Sequence, residues 1–275
     1  MSHGESTVER LRGRLAPGES AALPILLSVV VVLGVWQLAA GLVPAYSFPN
    51  AVELAAAFGR AFGPEARFSP WEQYPITILR VLLAATLCMV VGTVLGIVMG
   101  TSERAEEYLI VYVLATFAFP SVIWAFFAVL WVGLSTWFTT VFPVFMVVMP
   151  YVAINVYEGI ADLDAELPEM AHSFDASQWM VWKDIYVPHL YPHIFANARL
   201  TLTLAWKITL VGEIFGTTEG IGRVINSFFR ANQNDMILAW VVPMMVLVFA
   251  AERVLTVVER RAFSWRVETD RTMTA

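Results

Sequence analysis

Residues 158–192 read EGIADLDAELPEMAHSFDASQWMVWKDIYVPHLYP and lie between two long apolar runs. The stretch carries Glu158, Asp162, Asp164, Glu166, Glu169, Asp175 and Asp184 against Lys183. Charges at that density cannot be desolvated in a bilayer, so the segment lies outside the hydrocarbon. It still has helical order. Leu167, Met170, Ala171 and Phe174 fall at i, i+3, i+4 and i+7, one face of a helix. Pro168 suits a first turn, and Glu169 beside it complements the positive end of the helix dipole. Asp175 interrupts the pattern and is expected to N-cap a second helix, with Gln178 in the capping-box position. Trp179, Trp182 and Ile185 give that second helix an apolar side, and Pro188 is expected to stop it. Together these residues describe a bent pair of short helices projecting from a membrane protein. The alternative is an amphipathic hairpin lying on the bilayer with its two Trp at the interface.

The rest of the chain supplies the membrane part. Of 275 residues, 58% are hydrophobic and 15% charged, too apolar for an ordinary soluble domain. Downstream of the polar stretch, Leu190 to Phe215 is expected to span the bilayer, Thr217 to Asp235 is amphipathic, and Met236 to Val258 spans again. Upstream, the expected spans are Trp137 to Tyr157, Tyr108 to Val132, Pro75 to Gly100 and Ala21 to Val43, each near the twenty residues a bilayer requires. The first is longer than the apolar core of a signal peptide, and further spans follow it. Between the first two spans, Asn50 can cap a short interfacial helix that runs through Phe62 and ends at Gly63-Pro64. The expected fold is therefore an all-α, polytopic membrane protein of about six transmembrane helices. Its parts are an N-terminal tail (1–20), a transmembrane domain (21–260) and a C-terminal tail (261–275).

Positive charge orients it. With six spans both termini share the side of the polar stretch. That side holds Arg10, Arg12, Arg14, Arg104, Lys183, Arg253, Arg260, Arg261, Arg266 and Arg271, against Arg60, Arg67, Arg223 and Arg230 on the other. The bias places the termini and the polar stretch in the cytoplasm. The net charge of −6 argues against nucleic-acid binding, and the lone Cys88 reads as a small buried hydrophobe.

At the polar stretch the chain resembles a known family. Glu169-Met170-Ala171, three residues, then Asp175-Ala176-Ser177, and later Ile185-Tyr186-Val187-Pro188, is similar to the cytoplasmic EAA loop of ABC importer permeases. That family's pattern is Glu-Ala-Ala, three residues, Gly, and later Ile-x-Leu-Pro. Met170 replaces the central Ala and Asp175 replaces the Gly. A Gly at such a bend supplies a positive φ, and Asp is among the few residues that tolerate one. The resemblance extends over residues 70–260. Pro75 through Arg80 and on to Gly92, Gly96 and Gly100 looks like the opening of the permease core. Arg199 to Trp206, Val211-Gly212-Glu213 and Gly220-Ile221-Gly222 look like the branch serving nitrate, sulfonate, taurine and bicarbonate, plus some pyrimidine precursors. The resemblance implies the type I importer permease fold in the cytoplasmic (inner) membrane. It implies that loop 158–192 docks in a groove of a separate ATPase through Glu169, Ala171, Phe174, Asp175, Ala176, Ser177 and Pro188. It also implies an external substrate-binding protein and a second permease copy, with ATP and Mg on the ATPase and no cofactor on this chain. ATP would close the ATPase dimer and rock the spans between inward- and outward-facing states.

Four charges fall within or near spans: Arg80, Arg199, Lys207 and Glu213. At a bilayer centre each costs about 2.5–3.5 kcal/mol on insertion scales, so those at depth should face protein or water. Arg80 lies near a span end and can snorkel. Arg199, Lys207 and Glu213 share the fifth span. One reading is an anion pathway lined by Lys207, with Glu213 nearer its outer mouth. The other is a structural ion-pair set between spans or subunits, in which Lys207 pairs with Glu213 or Arg199 ties the fifth span to the polar loop. Trp124, after Pro120, and Trp206 can shape the same path or simply pack.

Other chemistry is missing from the sequence. No G-x-x-x-x-G-K-[ST], G-x-S-x-G or H-E-x-x-H occurs, which argues against ATP binding by a P-loop and against a hydrolase. His189 and His193 have metal-ligand spacing without a third ligand nearby. An ATP-independent secondary transporter and a membrane assembly factor remain as other classes.

Overall fold

The computed structural model describes residues 22–44, 48–135 and 137–262. Residues 1–20 and most of the C-terminal tail, with Arg10, Arg12, Arg14, Arg266 and Arg271, lie outside them. Among the described residues every regular element is a helix: α1 (Ala22–Leu42), α2 (Ala51–Phe62), α3 (Pro70–Gly100), α4 (Glu103–Phe117), α5 (Ser121–Val132), α6 (Phe138–Ala161), α7 (Glu166–Ser173), α8 (Gln178–Val181), a π-turn (Trp182–Tyr186), α9 (Val187–Gly216), α10 (Ile221–Arg230) and α11 (Asn234–Ala262). Four helical runs are long and apolar enough to cross a membrane: α3, α6, the run Gln178–Gly216 and most of α11. A fifth is present if the α4–α5 pair counts as one span, and α1 contributes a further apolar helix, Leu26–Leu42.

Two expected boundaries are corrected. The third span is not one helix: its halves, Glu103–Thr116 and Ser121–Val132, meet at 91°. Pro120 has no N–H to continue the ladder and a proline disfavours the α region for the residue before it; Pro120 itself is extended, φ −58° and ψ 144°, and caps α5. Pro188 does not stop the second helix of the polar stretch, which runs through α8 and the π-turn into α9. The π-turn resolves the proline. The Val187 amide reaches back to the Trp182 carbonyl, and the widened turn leaves room for a ring that would clash in a regular helix. The interfacial helix matches its expectation closely. Asn50 accepts from the amides of Val52 and Glu53, and Glu53 returns the bond to the Asn50 amide, a complete capping box.

The core is α3, α6 and α9. Gly92, Gly96 and Gly100, one turn apart on α3, let its backbone lie against α6. A Cβ at Gly92 would sit 2.6 Å from Val152 Cβ, one at Gly96 2.5 Å from the Ala153 carbonyl, and one at Gly100 2.7 Å from Ile160 Cβ. At the end remote from residues 158–192, Tyr74 stacks on Trp240 at 5.4 Å and donates to its carbonyl at 2.7 Å. Phe62 of α2 covers the same Trp, and Arg60 pairs with Asp235. These contacts join α2, α3 and α11.

Candidate functional site

The polar stretch folds as a tight elbow. Its first arm, α7, has Glu166 and Glu169 in the first turn and His172 in the last, a polarity that suits the helix dipole at both ends. The bend follows at Asp175, whose φ is +58°. Around it the Ala176 amide donates to the Ala171 carbonyl (3.1 Å) and the Asp175 amide to the His172 carbonyl (3.0 Å). That is the paired 6→1 and 5→2 bonding of a Schellman motif, with Asp175 in the left-handed position Gly usually fills. Asp175 therefore closes the first arm; it does not cap the second. Ser177 caps α8 instead, its hydroxyl accepting from the Met180 amide. The second arm is anchored by Val181 and Leu190, both 2% exposed, and by a Trp182–Tyr186 ring stack at 4.6 Å. Facing away are Met170, Phe174, Trp179 and Met180, with Phe174 81% and Trp179 74% exposed. Glu169, Asp175, Ser177 and Pro188 are exposed with them, while Ala171 and Ala176 are half-buried at the bend. Large apolar side chains this bare among carboxylates mark a contact surface.

The charges within the spans do not gather in one place. Glu213 is fully buried, and its partner is Arg80, not Lys207: Arg80 Nη1 donates to Glu213 Oε1 at 2.6 Å, and neither side chain is exposed. Arg80 therefore does not snorkel. Thr77 Oγ1 lies 2.9 and 3.0 Å from the two carboxylate oxygens, and the Gly222 amide donates to Glu213 Oε2 at 2.8 Å. Arg199 is not tied to the elbow either; it pairs with Glu259 of α11, the two side chains 47% and 36% exposed. One turn on, Thr203 donates to Glu252 at 2.9 Å. Lys207 is exposed on α9 and has no ion-pair partner among the described residues. Trp206 is 4% exposed and packs in the core beside Ala205 and Ile208. Trp124 sits in an aromatic cluster with Phe119, Phe127 and Phe142. His189 and His193 face each other at 6.0 Å, but no metal-holding group of three occurs among the described residues.

Sequence reasoning missed Thr77, Gln73, Glu252 and Glu259 as partners. For Glu252 the signal was available: a carboxylate inside an apolar span seeks a donor. For Thr77 and Gln73 there was none, because threonine and glutamine in a helix carry no mark of what they will face.

Residues 92–264 match the family described as binding-protein-dependent transport system inner membrane component. The chain is 26% identical over 88% of its length to the aliphatic sulfonates transport permease SsuC of Bacillus subtilis, covering 87% of that protein. It is 22% identical to the taurine transport permease TauC of Escherichia coli, over 72% of each chain. It is 24% identical to the formylaminopyrimidine transport permease ThiX of Halalkalibacterium halodurans, over 73% of this chain and 79% of that one. Among solved structures, a chain of the MetNI methionine ABC transporter aligns with a TM-score of 0.56 at 17% identity, covering 68% of this chain and 94% of the other; that likeness is one of fold.

Proposed function

Because the chain belongs to the family of binding-protein-dependent transport system inner membrane components, we propose that it carries a small anionic solute, of the nitrate, sulfonate, taurine or bicarbonate kind, inward across the cytoplasmic membrane by alternating access. The chain is a permease subunit of an ABC importer, a transport component and not an enzyme. ATP and Mg bind a separate ATPase, an external binding protein delivers the solute, and a second copy of the chain completes the path. The protein is multi-pass with both termini in the cytoplasm.

The observation that carries this reading is the elbow. Phe174, Trp179 and Met170 stand bare around a hydrogen-bonded bend, with Glu169 beside them. A groove on the ATPase that takes the apolar side chains turns ATPase closure into a push along the continuous helix from Gln178 to Gly216. Lys207, on the same helix, exposed and without an ion-pair partner among the described residues, is the cation offered to an anionic solute. Arg199 and Glu213, each held by a carboxylate or guanidinium of a neighbouring helix, together with Trp206 and Trp124, belong to the helices that frame the path. The names of SsuC and TauC support a sulfonate-like solute. The name of ThiX favours a second reading, a pyrimidine-precursor-like solute.

Glu169→Lys tests it. The substitution costs only about 0.3–1 kcal/mol at the helix terminus itself. The protein should therefore insert normally yet lose co-purification with its ATPase. Normal co-purification together with normal transport refutes the docking role. Lys207→Gln should lower anion uptake at unchanged protein level, and unchanged uptake removes Lys207 from the path.

A further inference from the structure

The cluster around Glu213 is more than an ion pair. Gly220 is the N-cap of α10, and the amides at the start of that helix need acceptors. They find them on other helices: the Gly220 amide donates to Gln73 Oε1 (2.6 Å), the Ile221 amide to Thr77 Oγ1 (2.9 Å) and the Gly222 amide to Glu213 Oε2 (2.8 Å). Glu213 is thus a capping acceptor supplied from α9, held by Arg80 and Thr77 of α3. Arg80 Nη1 also donates to the Glu219 carbonyl at 3.0 Å, just before the helix starts. Both glycines are required here. Gly220 has φ +98°, and a Cβ on Gly222 would lie 2.6 Å from both Glu213 Cβ and the Leu210 carbonyl. The Gly-Ile-Gly signature is the backbone's means of reaching a buried carboxylate.

Parting this cluster would strand a cation and a carboxylate, each fully buried, together with three helix amides. The ion pair nearer the middle of α9, Arg199 with Glu259, is half open, so separating it strands no fully buried charge. We propose that Arg80, Thr77, Gln73 and Glu213 are positioning residues that lock the start of α10 to α3 through the whole transport cycle. The α3, α9 and α10 ends remote from the elbow then move as one body, and α10 is a fixed wall of the path, not its gate. Only the existence of a transport cycle is taken from the proposed function.

A cross-link tests the lock. The Ile221 amide donates to the Thr77 hydroxyl at 2.9 Å, a contact that keeps the two Cα atoms no farther apart than about the 6.8 Å upper end of the disulfide span. Thr77→Cys with Ile221→Cys, in a Cys88→Ala background, is assembled with the ATPase in proteoliposomes. ATP hydrolysis is compared before and after oxidation, the reduced protein controlling for the substitutions. The oxidised complex should keep at least about half the reduced rate. A loss of more than about tenfold on oxidation, recovered on reduction, overturns the lock. Independently, Ile221→Cys alone is exposed to a membrane-impermeant maleimide, nucleotide-free and with ATP plus vanadate. Ile221 is 0% exposed, so neither state should label; labelling in either state overturns the proposal. If the complex carrying only Cys88→Ala hydrolyses no ATP, the transporter reading fails, while the maleimide pattern still decides the lock.

Discussion

Glu213→Gln removes one charge from a pair that is fully buried on both sides. Glutamine keeps an oxygen for Thr77 or for the Gly222 amide, so the hydrogen bonding is only partly lost. Arg80 is the group that suffers. Its Nε and Nη2 have no hydrogen-bond partner among the described residues, and its next carboxylate, on Glu219, lies 3.7 Å away and is 50% exposed. Breaking a buried pair from one side costs about 3–5 kcal/mol, and the surviving acceptor places this case near the lower bound. At about 2–4 °C per kcal/mol for large domains, the melting temperature should fall by about 6–12 °C. Tryptophan fluorescence of the purified protein in detergent follows the transition. Arg80→Met added to Glu213→Gln removes the stranded cation and should recover at least half the loss, because the pair's removal as a unit is far cheaper than half of it. A Glu213→Gln protein melting within about 2 °C of the parent would refute the buried pair as a determinant of stability. So would a double variant as unstable as the sum of its singles.

Asp175→Gly relieves a left-handed residue and should stabilise the elbow by up to about 1 kcal/mol while leaving ATPase binding intact; a loss of binding would mean that the carboxylate itself is read by the partner. Gly96→Val forces a side chain into the Ala153 carbonyl and Val156, so it should cost about 1–3 kcal/mol or more and lower the yield of folded protein, measured by size-exclusion of the solubilised chain. In a Cys88→Ala background, a cysteine at Ser173 should label only from the cytoplasm and one at Asn232 only from outside; the reverse pattern overturns the orientation drawn from Arg and Lys.

Much of this architecture is written in local pattern. Apolar runs of bilayer length located α3, α6, α9 and α11, and Asn50 announced the cap of α2 before any tertiary contact was known. The interruption at Asp175 was legible too, but local pattern made Asp175 the N-cap of the second helix, a role Ser177 takes; its positive φ was readable only through the resemblance, which has Gly there. What local pattern lacks is partnership. Lys207 and Glu213 share a helix, which invited pairing them, but a buried carboxylate is held by whatever donors converge in space, here Arg80 from α3 and the start of α10. Pro188 misled in the opposite direction. A proline ends a helix only when its ring has no room, and the π-turn before it makes that room. Pro120 has no such turn, and there the chain breaks through 91°.

The central claim is that the elbow seats in an ATPase. A cysteine at Phe174, in the Cys88→Ala background, carries a photoactivatable maleimide. Irradiation of membranes holding the full complex should yield a covalent adduct of this chain with the ATP-binding subunit, and Glu169→Lys should abolish it. Adducts only with lipid, with the ATPase present and active, would contradict the claim and leave the elbow a surface-lying hairpin.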